Sequence, residues 1–163
     1  MTLELFRIDD RLIHGQVVVG WGHPCDLSFF VLVDDAIAAA EWEQELYRMG
    51  TPEGMEVRFE TVEGAAARLE AYRADPRCGM LLTGDIDTMA RLIEQAPSIR
   101  AVTLGGVHHA PGRVPRLRFV FLSAAEEARL RALAARGVTI TAQDVPGTPP
   151  VPLEDMLAAD GTA

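Results

Sequence analysis

Leu3-Glu4-Leu5-Phe6-Arg7-Ile8-Asp9-Asp10-Arg11-Leu12-Ile13-His14-Gly15-Gln16-Val17-Val18-Val19-Gly20-Trp21 passes from an apolar run, through a polar turn, into a second apolar run. Residues 3–8 read as a short buried strand, 9–14 as a turn and 15–21 as a short helix. The same alternation continues along the chain. Runs rich in Val, Leu, Ile and Phe recur at 27–33, 55–59, 80–82, 99–104, 117–122 and 138–140, and helical patterns lie at 36–49, 62–74, 86–95, 124–135 and 153–159. Strands that alternate with helices over short connections predict an α/β fold: a single domain over 1–163 with a mainly parallel central sheet and helices on both faces, in the doubly wound manner.

Start and stop signals support this segmentation. Ser123 followed three positions later by Glu126 predicts a capping box, and Arg136-Gly137 closes the same helix with a cation and a glycine. Asp85 is placed to cap the helix over 86–95, and Asp75 before Pro76 ends the one before it. Residues 146–152 include four prolines and read as a surface connection to a last short helix. Residues 160–163 are expected to fray. There is no internal repeat and no low-complexity tract.

Composition excludes several function classes. The 163 residues are 48% hydrophobic and 24% charged, with a net charge of −9. That charge argues against nucleic acid, whose affinity comes from cationic neutralisation of phosphates. The 15 basic residues are all Arg. Without Lys there is no Walker A loop, no Schiff base with pyridoxal phosphate and no kinase-type phosphate-pairing lysine. Mean hydropathy is +0.10, and charged residues interrupt every apolar stretch, so no membrane span is expected. The opening MTLELFRIDD lacks the three regions of a secretory signal, and the expectation is a cytoplasmic protein. Cys25 and Cys78 lack metal-type spacing and read as free thiols.

The turn after the first strand is where open α/β sheets bind ligands. His14 lies there. The N–H groups of Gly15, Gln16 and Val17 at the helix start would form an anion site, and Arg11 would offer a fork of donors to phosphate oxygens. Asp9 or Asp10 would fix the imidazole or the guanidinium. By residue types alone, a capped or half-buried histidine beside an Arg11–Asp10 surface pair is the commoner arrangement.

The string Arg7-Ile8-Asp9-Asp10-Arg11-Leu12-Ile13-His14-Gly15-Gln16-Val17, with Trp21 beyond it, resembles the N-terminal signature of the IIB proteins of the mannose/fructose/sorbose family in the bacterial phosphoenolpyruvate-dependent sugar phosphotransferase system. Val31-Leu32-Val33-Asp34-Asp35, Gly105-Gly106-Val107-His108, Gly137-Val138 and Gln143-Asp144-Val145-Pro146 follow in the family's order. The resemblance implies a phosphocarrier in which His14, through Nδ1, accepts a phosphoryl group from the phosphohistidine of a IIA protein. It then passes the group to a sugar carried by membrane IIC and IID subunits. Arg11 would hold the phosphoryl oxygens with the N–H groups of the helix start, while Asp10 and Gln16 are weaker candidates for orienting ring or phosphate. No metal or cofactor is implied. Peripheral association with a membrane permease is compatible with this role, and the oligomeric state stays open, a homo-oligomer included. Two departures are Thr103-Leu104 where many members have an asparagine shortly before the two glycines, and Arg113 where a lysine is usual.

Other features carry competing readings. Asp34-Asp35 resembles a magnesium-binding acidic pair, against which the missing lysine speaks; either carboxylate could support His14 or Arg11, or cap the next helix. The Gly105-Gly106 loop would approach the His14 loop, bringing His108 near, while zinc held by His108, His109, His23 and Cys25 is disfavoured by their spacing. Arg7, Arg11, Arg113, Arg116 and Arg118 are read as a basic rim facing an acidic partner. The rivals to a carrier are a regulatory phosphoprotein or binding module of the same fold without a dedicated permease, and an unrelated small hydrolase or nucleotide-binding protein.

Overall fold

A computed structural model describes residues 3–162. The strands are β1 Leu3–Ile8, β2 Leu27–Val33, β3 Glu56–Glu60, β4 Cys78–Thr83, β5 Ala101–Leu104, β6 Val114–Leu117, β7 Val120–Leu122, β8 Thr139–Ala142 and β9 Val151–Pro152. Seven of them form one sheet in the order β3-β2-β4-β1-β5-β8-β9, and β6 and β7 form a separate hairpin. All pairings in the large sheet are parallel except β8 with β9. The helices are α1 Asp35–Ala38, α2 Glu41–Met49, α3 Val62–Ala74, α4 Ile86–Gln95, α5 Ala124–Ala135 and α6 Leu153–Ala158, preceded by a π-helical turn over Gln16–Trp21.

Side chains of a strand alternate between faces, and both faces of this sheet are covered. Phe29, Val31 and Val33 of β2 join Leu81 in one core, under Leu69 of α3, Met89 of α4, Leu130 of α5 and Met156 of α6. Phe30 and Leu32 join Met80 and Leu82 in a second core, under Val17, Val18 and Trp21 of the π-helical turn and Ile37 of α1. The α/β class with helices on both faces is therefore as the periodicity predicts. The chain leaves β1 toward the second core and β5 toward the first. Neighbouring strands that send their chains to opposite faces open a crevice at their carboxyl ends, the usual ligand position in such sheets.

Four segments differ from the sequence reading. The helix expected over 36–49 breaks at Ala39 and Ala40, where Ala40 is extended. The Gln44 side chain donates to the carbonyls of Ile37 and Ala38 at 2.9 and 3.1 Å, so the break leaves those acceptors satisfied. The run over 117–122 turns between Leu117 and Val120 and becomes the β6–β7 hairpin. In the proline-rich segment, Val151 and Pro152 pair antiparallel with β8 at the sheet edge, a position where proline's missing N–H does not interrupt a ladder. The first helix is wound wider than an α-helix, with Gly22 N–H donating to the Val17 carbonyl at 3.0 Å.

The caps are as predicted. Asp85 accepts from Thr88 N–H at 2.6 Å. Gly137, at φ +92°, ends α5 with its N–H on the Ala134 carbonyl. Of the tail read as frayed, Ala163 lies outside the described residues, and Gly161 N–H donates to the Arg116 carbonyl at 3.1 Å. Ser123 and Glu126 form the full capping box of α5. Ser123→Ala removes one partner of that box and is expected to lower stability by about 1 kcal/mol, read from denaturant unfolding.

Candidate functional site

The turn after β1 is built around a carboxylate. Asp9 is fully buried, and its Oδ1 accepts from Arg11 N–H and Arg11 Nε, both at 3.1 Å. Its Oδ2 accepts from Arg11 Nη2 at 3.2 Å, Gly106 N–H at 3.2 Å and Arg7 Nη2 at 3.3 Å. Burial by itself would raise the Asp9 carboxyl, but Arg11, the Gly106 N–H and Arg7 together hold it below the usual carboxylate value. Arg7 is only 1% exposed. It donates to the carbonyls of Gln143 and Asp144 at 2.7 and 3.1 Å, and its guanidinium carbon stands 4.8 Å from the centre of the Trp21 ring. Trp21 Nε1 donates to the same Asp144 carbonyl at 2.8 Å. Arg7 and Asp9 thus tie together the ends of β1, β5 and β8.

His14 stands at the edge of this cluster, 17% exposed, with Nε2 3.9 Å from Asp9 Oδ2. Its orientation comes from Leu12, whose φ of +56° is left-handed backbone. That geometry costs a non-glycine residue roughly 1–2 kcal/mol. It persists because the Leu12 N–H donates to the Asp9 carbonyl at 2.9 Å and the side chain is buried. The turned backbone presents the Leu12 carbonyl to His14, and Nδ1–H donates to it at 2.9 Å. Nε2 is buried and has no hydrogen-bond partner among the described residues. The resemblance implies a free Nδ1 and a held Nε2; the resting ring has the reverse arrangement, because a carbonyl can only accept. Burial pushes the His14 ring below its ordinary 6.5, partly offset by the Leu12 hydrogen bond and Asp9, with Arg11 and Arg7 adding to the depression. The neutral, nucleophilic ring is favoured.

Several expectations need correction. Val17 N–H is not free for an anion, since it donates to the His14 carbonyl at 3.0 Å, as does Val18 N–H. Gly15, at the exposed head of this turn, and Gln16 remain beside the ring. Gln16 Oε1 accepts from Arg11 Nη2 at 3.0 Å, so Gln16 orients Arg11. Two nitrogens of the Arg11 fork are already on Asp9, and only Nη1 is without a hydrogen bond among the described residues. Asp10 does not orient His14. It accepts from His108 N–H at 2.7 Å and from His108 Nδ1 at 2.6 Å. Asp34 caps α1 by accepting from Ile37 N–H, and Asp35 accepts from Val62 N–H and Arg91, so neither supports His14 or Arg11.

The Gly105-Gly106 loop does meet the His14 loop. A Cβ on Gly105 would run into the Arg7 guanidinium and Asp9, and one on Gly106 would lie 2.8 Å from His108 Cε1. Both glycines are there because the strand ends pack backbone against charged side chains. The basic rim is mostly neutralised: Arg7 is buried, Arg11 is on Asp9, Arg113 forms a bidentate pair with Glu126 and Arg116 pairs with Glu127. Arg118 alone of the five is exposed without a partner among the described residues. Neither thiol is near the site: Cys78 opens β4 and Cys25 precedes β2, at the opposite end of the parallel strands, and burial raises the Cys25 thiol.

Two consequences are testable. Asp9→Asn leaves the Arg7 charge buried without its counter-ion, and a loss of about 3–5 kcal/mol in unfolding free energy is expected. Because His14 binds its proton more weakly folded than unfolded, the unfolded state takes up that proton first as the pH falls below 6.5. Stability should therefore decline as the pH falls below 6.5, and His14→Gln should flatten that slope in denaturant titrations.

Comparison with known proteins places the chain. The model of the PTS system sorbose subfamily IIB component matches residues 3–163. The chain is 30% identical over 147 residues to the N-acetylgalactosamine-specific phosphotransferase enzyme IIB component 1 of Escherichia coli (strain K12), covering 90% of this chain and 92% of that protein. It is 28% identical to the mannose-specific EIIAB component of Escherichia coli (strain K12), covering 97% of this chain and 49% of that protein. The crystal structure of the IIBSor domain of the sorbose permease from Klebsiella pneumoniae superimposes with a TM-score of 0.85 at 26% identity, covering 97% of each chain. With the sheet order, the β1 turn and the matched family model in agreement, the chain belongs to the sorbose subfamily of IIB components of the sugar phosphotransferase system.

Proposed function

We propose that this protein is a phosphocarrier that accepts a phosphoryl group from a phosphorylated IIA protein on His14 and delivers it to a sugar at membrane IIC and IID subunits. The observation that carries this reading is the cluster around Asp9, which keeps a partly exposed, neutral imidazole beside the Arg11 guanidinium at a strand end. A carrier must hold its phosphate loosely enough to pass it on, and a ring at the surface suits that task better than a deep pocket. The fusion of a IIA part to a IIB part in the mannose-specific relative supports a IIA donor. No helix among the described residues is long and apolar enough to cross a membrane. The carrier reading assigns the sugar-translocating step to IIC and IID subunits, which this protein would meet peripherally.

The chemistry follows from the residues. His14 supplies a lone pair to phosphorus, and Arg11 Nη1 and the Gly15 and Gln16 N–H groups face the phosphoryl oxygens as charge develops. Neither ring nitrogen is ready in the resting orientation, since Nδ1–H is on Leu12 and Nε2 is buried. For Nδ1 to accept, the ring therefore turns off the Leu12 carbonyl and changes tautomer: Nδ1 gives up its proton and Nε2, 3.9 Å from Asp9 Oδ2, takes one, which frees the Nδ1 lone pair for phosphorus. Releasing the Leu12 hydrogen bond costs about 1 kcal/mol, small beside the barrier of phosphoryl transfer. Cys25 and Cys78 take no part, being half-buried at the far end of the sheet.

The test is intact mass after incubation with phosphoenolpyruvate, the general phosphotransferase proteins and cognate IIA, followed by acid. One acid-labile phosphoryl group is expected, absent from His14→Ala. Arg11→Lys should slow transfer at least tenfold, because an ammonium cannot satisfy Asp9 and the phosphoryl group together. Label persisting on His14→Ala would overturn the assignment. A protein that takes the label but supports no sugar phosphorylation with any IIC and IID pair would be the regulatory phosphoprotein.

A further inference from the structure

We propose that His108 is a second histidine of the phosphoryl site, donating Nε2–H to the phosphoryl oxygens while the group crosses to His14. This rests on the carrier reading and deepens it. The motivating observation is how firmly an exposed ring is oriented. The His108 side chain is 51% exposed, yet Asp10 accepts both its N–H, at 2.7 Å, and its Nδ1–H, at 2.6 Å. The His108 carbonyl accepts from Arg113 Nη1 at 2.8 Å. Arg113 is itself held by both oxygens of Glu126, each at 2.9 Å, and Glu126 is locked in the capping box of α5. The loop after β5 is thus pinned from β1 on one side and from α5 on the other, and the ring's remaining nitrogen, Nε2, has no partner among the described residues.

The placement of that nitrogen is what matters. His108 Cε1, its ring neighbour, and Arg11 Nη2 lie 2.8 and 3.1 Å from the point a Cβ on Gly106 would occupy, so the two groups are within about 6 Å of each other. Nη2 is itself held by Asp9 and Gln16, so a phosphoryl oxygen between the two groups takes its hydrogen bonds, of roughly 2.8 Å each, from His108 Nε2 and from Arg11 Nη1 of the same guanidinium, which is free among the described residues. The missing side chain of Gly106 is what lets the ring and the guanidinium come this close. With Nδ1–H committed to Asp10, Nε2 is the ring nitrogen left to face the phosphoryl oxygens, to which it donates as Nε2–H. The charged groups around the ring are Asp10 and Arg11 from the β1 turn and Arg113 from its own loop, with Glu126 behind Arg113.

In the transfer step, the phosphorus–nitrogen bond of the donor phosphohistidine breaks and its electron pair returns to the donor ring. A new phosphorus–nitrogen bond forms from the lone pair of His14. His108 keeps its proton throughout, so it is a hydrogen-bond donor to the moving group and not an acid. Removing one preorganised donor of this kind costs on the order of 100-fold in rate.

Three variants separate this role from a merely structural one. Asn at 108 keeps a donor at the Nδ1 position, and with it the Asp10 bond, but loses Nε2; Gln places its amide near the Nε2 position. In single-turnover transfer from phosphorylated IIA, His108→Asn is expected to be slowed on the order of 100-fold in the transfer rate, with donor affinity unchanged and the thermal midpoint kept, and His108→Gln is expected to recover part of the rate. Asp10→Asn should slow transfer in the same sense. His108→Asn transferring at the wild-type rate, or slowed only through weaker donor affinity, overturns the proposal. The wild type is labelled first: no label there overturns the carrier reading and this proposal with it, whereas a labelled wild type with an equally fast His108→Asn overturns this proposal alone.

Discussion

A single buried carboxylate organises the protein. Asp9 receives donors from Arg7, Arg11 and the Gly106 backbone, and every one of those contacts joins parts of the chain that differ in purpose. Arg7 faces inward and binds the backbone after β8; Arg11 faces outward beside His14. A charge taken out of water is tolerated only when its partners and hydrogen bonds are complete. Asp9 has that complement, which turns a costly burial into a rigid reference point for a ring that must meet another protein's histidine.

The sheet supplies the rest. β1 and β5 are adjacent and send their chains to opposite faces, so the His14 turn and the Gly105-Gly106 loop converge over one crevice. Convergence at such close range requires glycine, because a Cβ at either position would strike the arginines or His108. The left-handed Leu12 is the local strain that this convergence sustains, and its turned carbonyl sets the resting orientation of the imidazole. Strained backbone next to reacting groups persists where the surroundings over-determine it, as the Asp9 carbonyl and the buried Leu12 side chain do.

Much of this was legible beforehand. Fully buried strands such as β2 read as unbroken apolar runs, helix ends carried Ser123, Asp85 and Gly137, and His14 with Arg11 lay where a parallel sheet binds ligands. The departures lie among charged residues near strand ends. Asp9 holds the Arg11 guanidinium and Asp34 caps the next helix, both within the sequence reading, but residue type alone does not tell these from Arg7, a buried ion-pair partner, or Asp10, a loop tie. Only Asp9 and Arg7 lost their solvent, and Asp10, one position on, points to His108. The break of the helix over 36–49 is of the same kind: the alanines at 39 and 40 favour a helix, and the Gln44 side chain caps the carbonyls that the break exposes.

The sequence by itself determined the α/β class, the order of the elements, their caps and the loop that carries His14, because periodicity, capping chemistry and turn residues act over a few neighbouring positions. Tertiary structure decided which carboxylate is the hub, which ring nitrogen of His14 is engaged, and that His108 stands against Arg11 across Gly106. Those outcomes depend on contacts between residues about a hundred positions apart, such as Asp9 with Gly106 and Asp10 with His108. The physical reason is that burial and hydrogen-bond completion are properties of the assembled crevice: the same aspartate is a surface charge in an isolated turn and a structural anchor once β5 and β8 close around it.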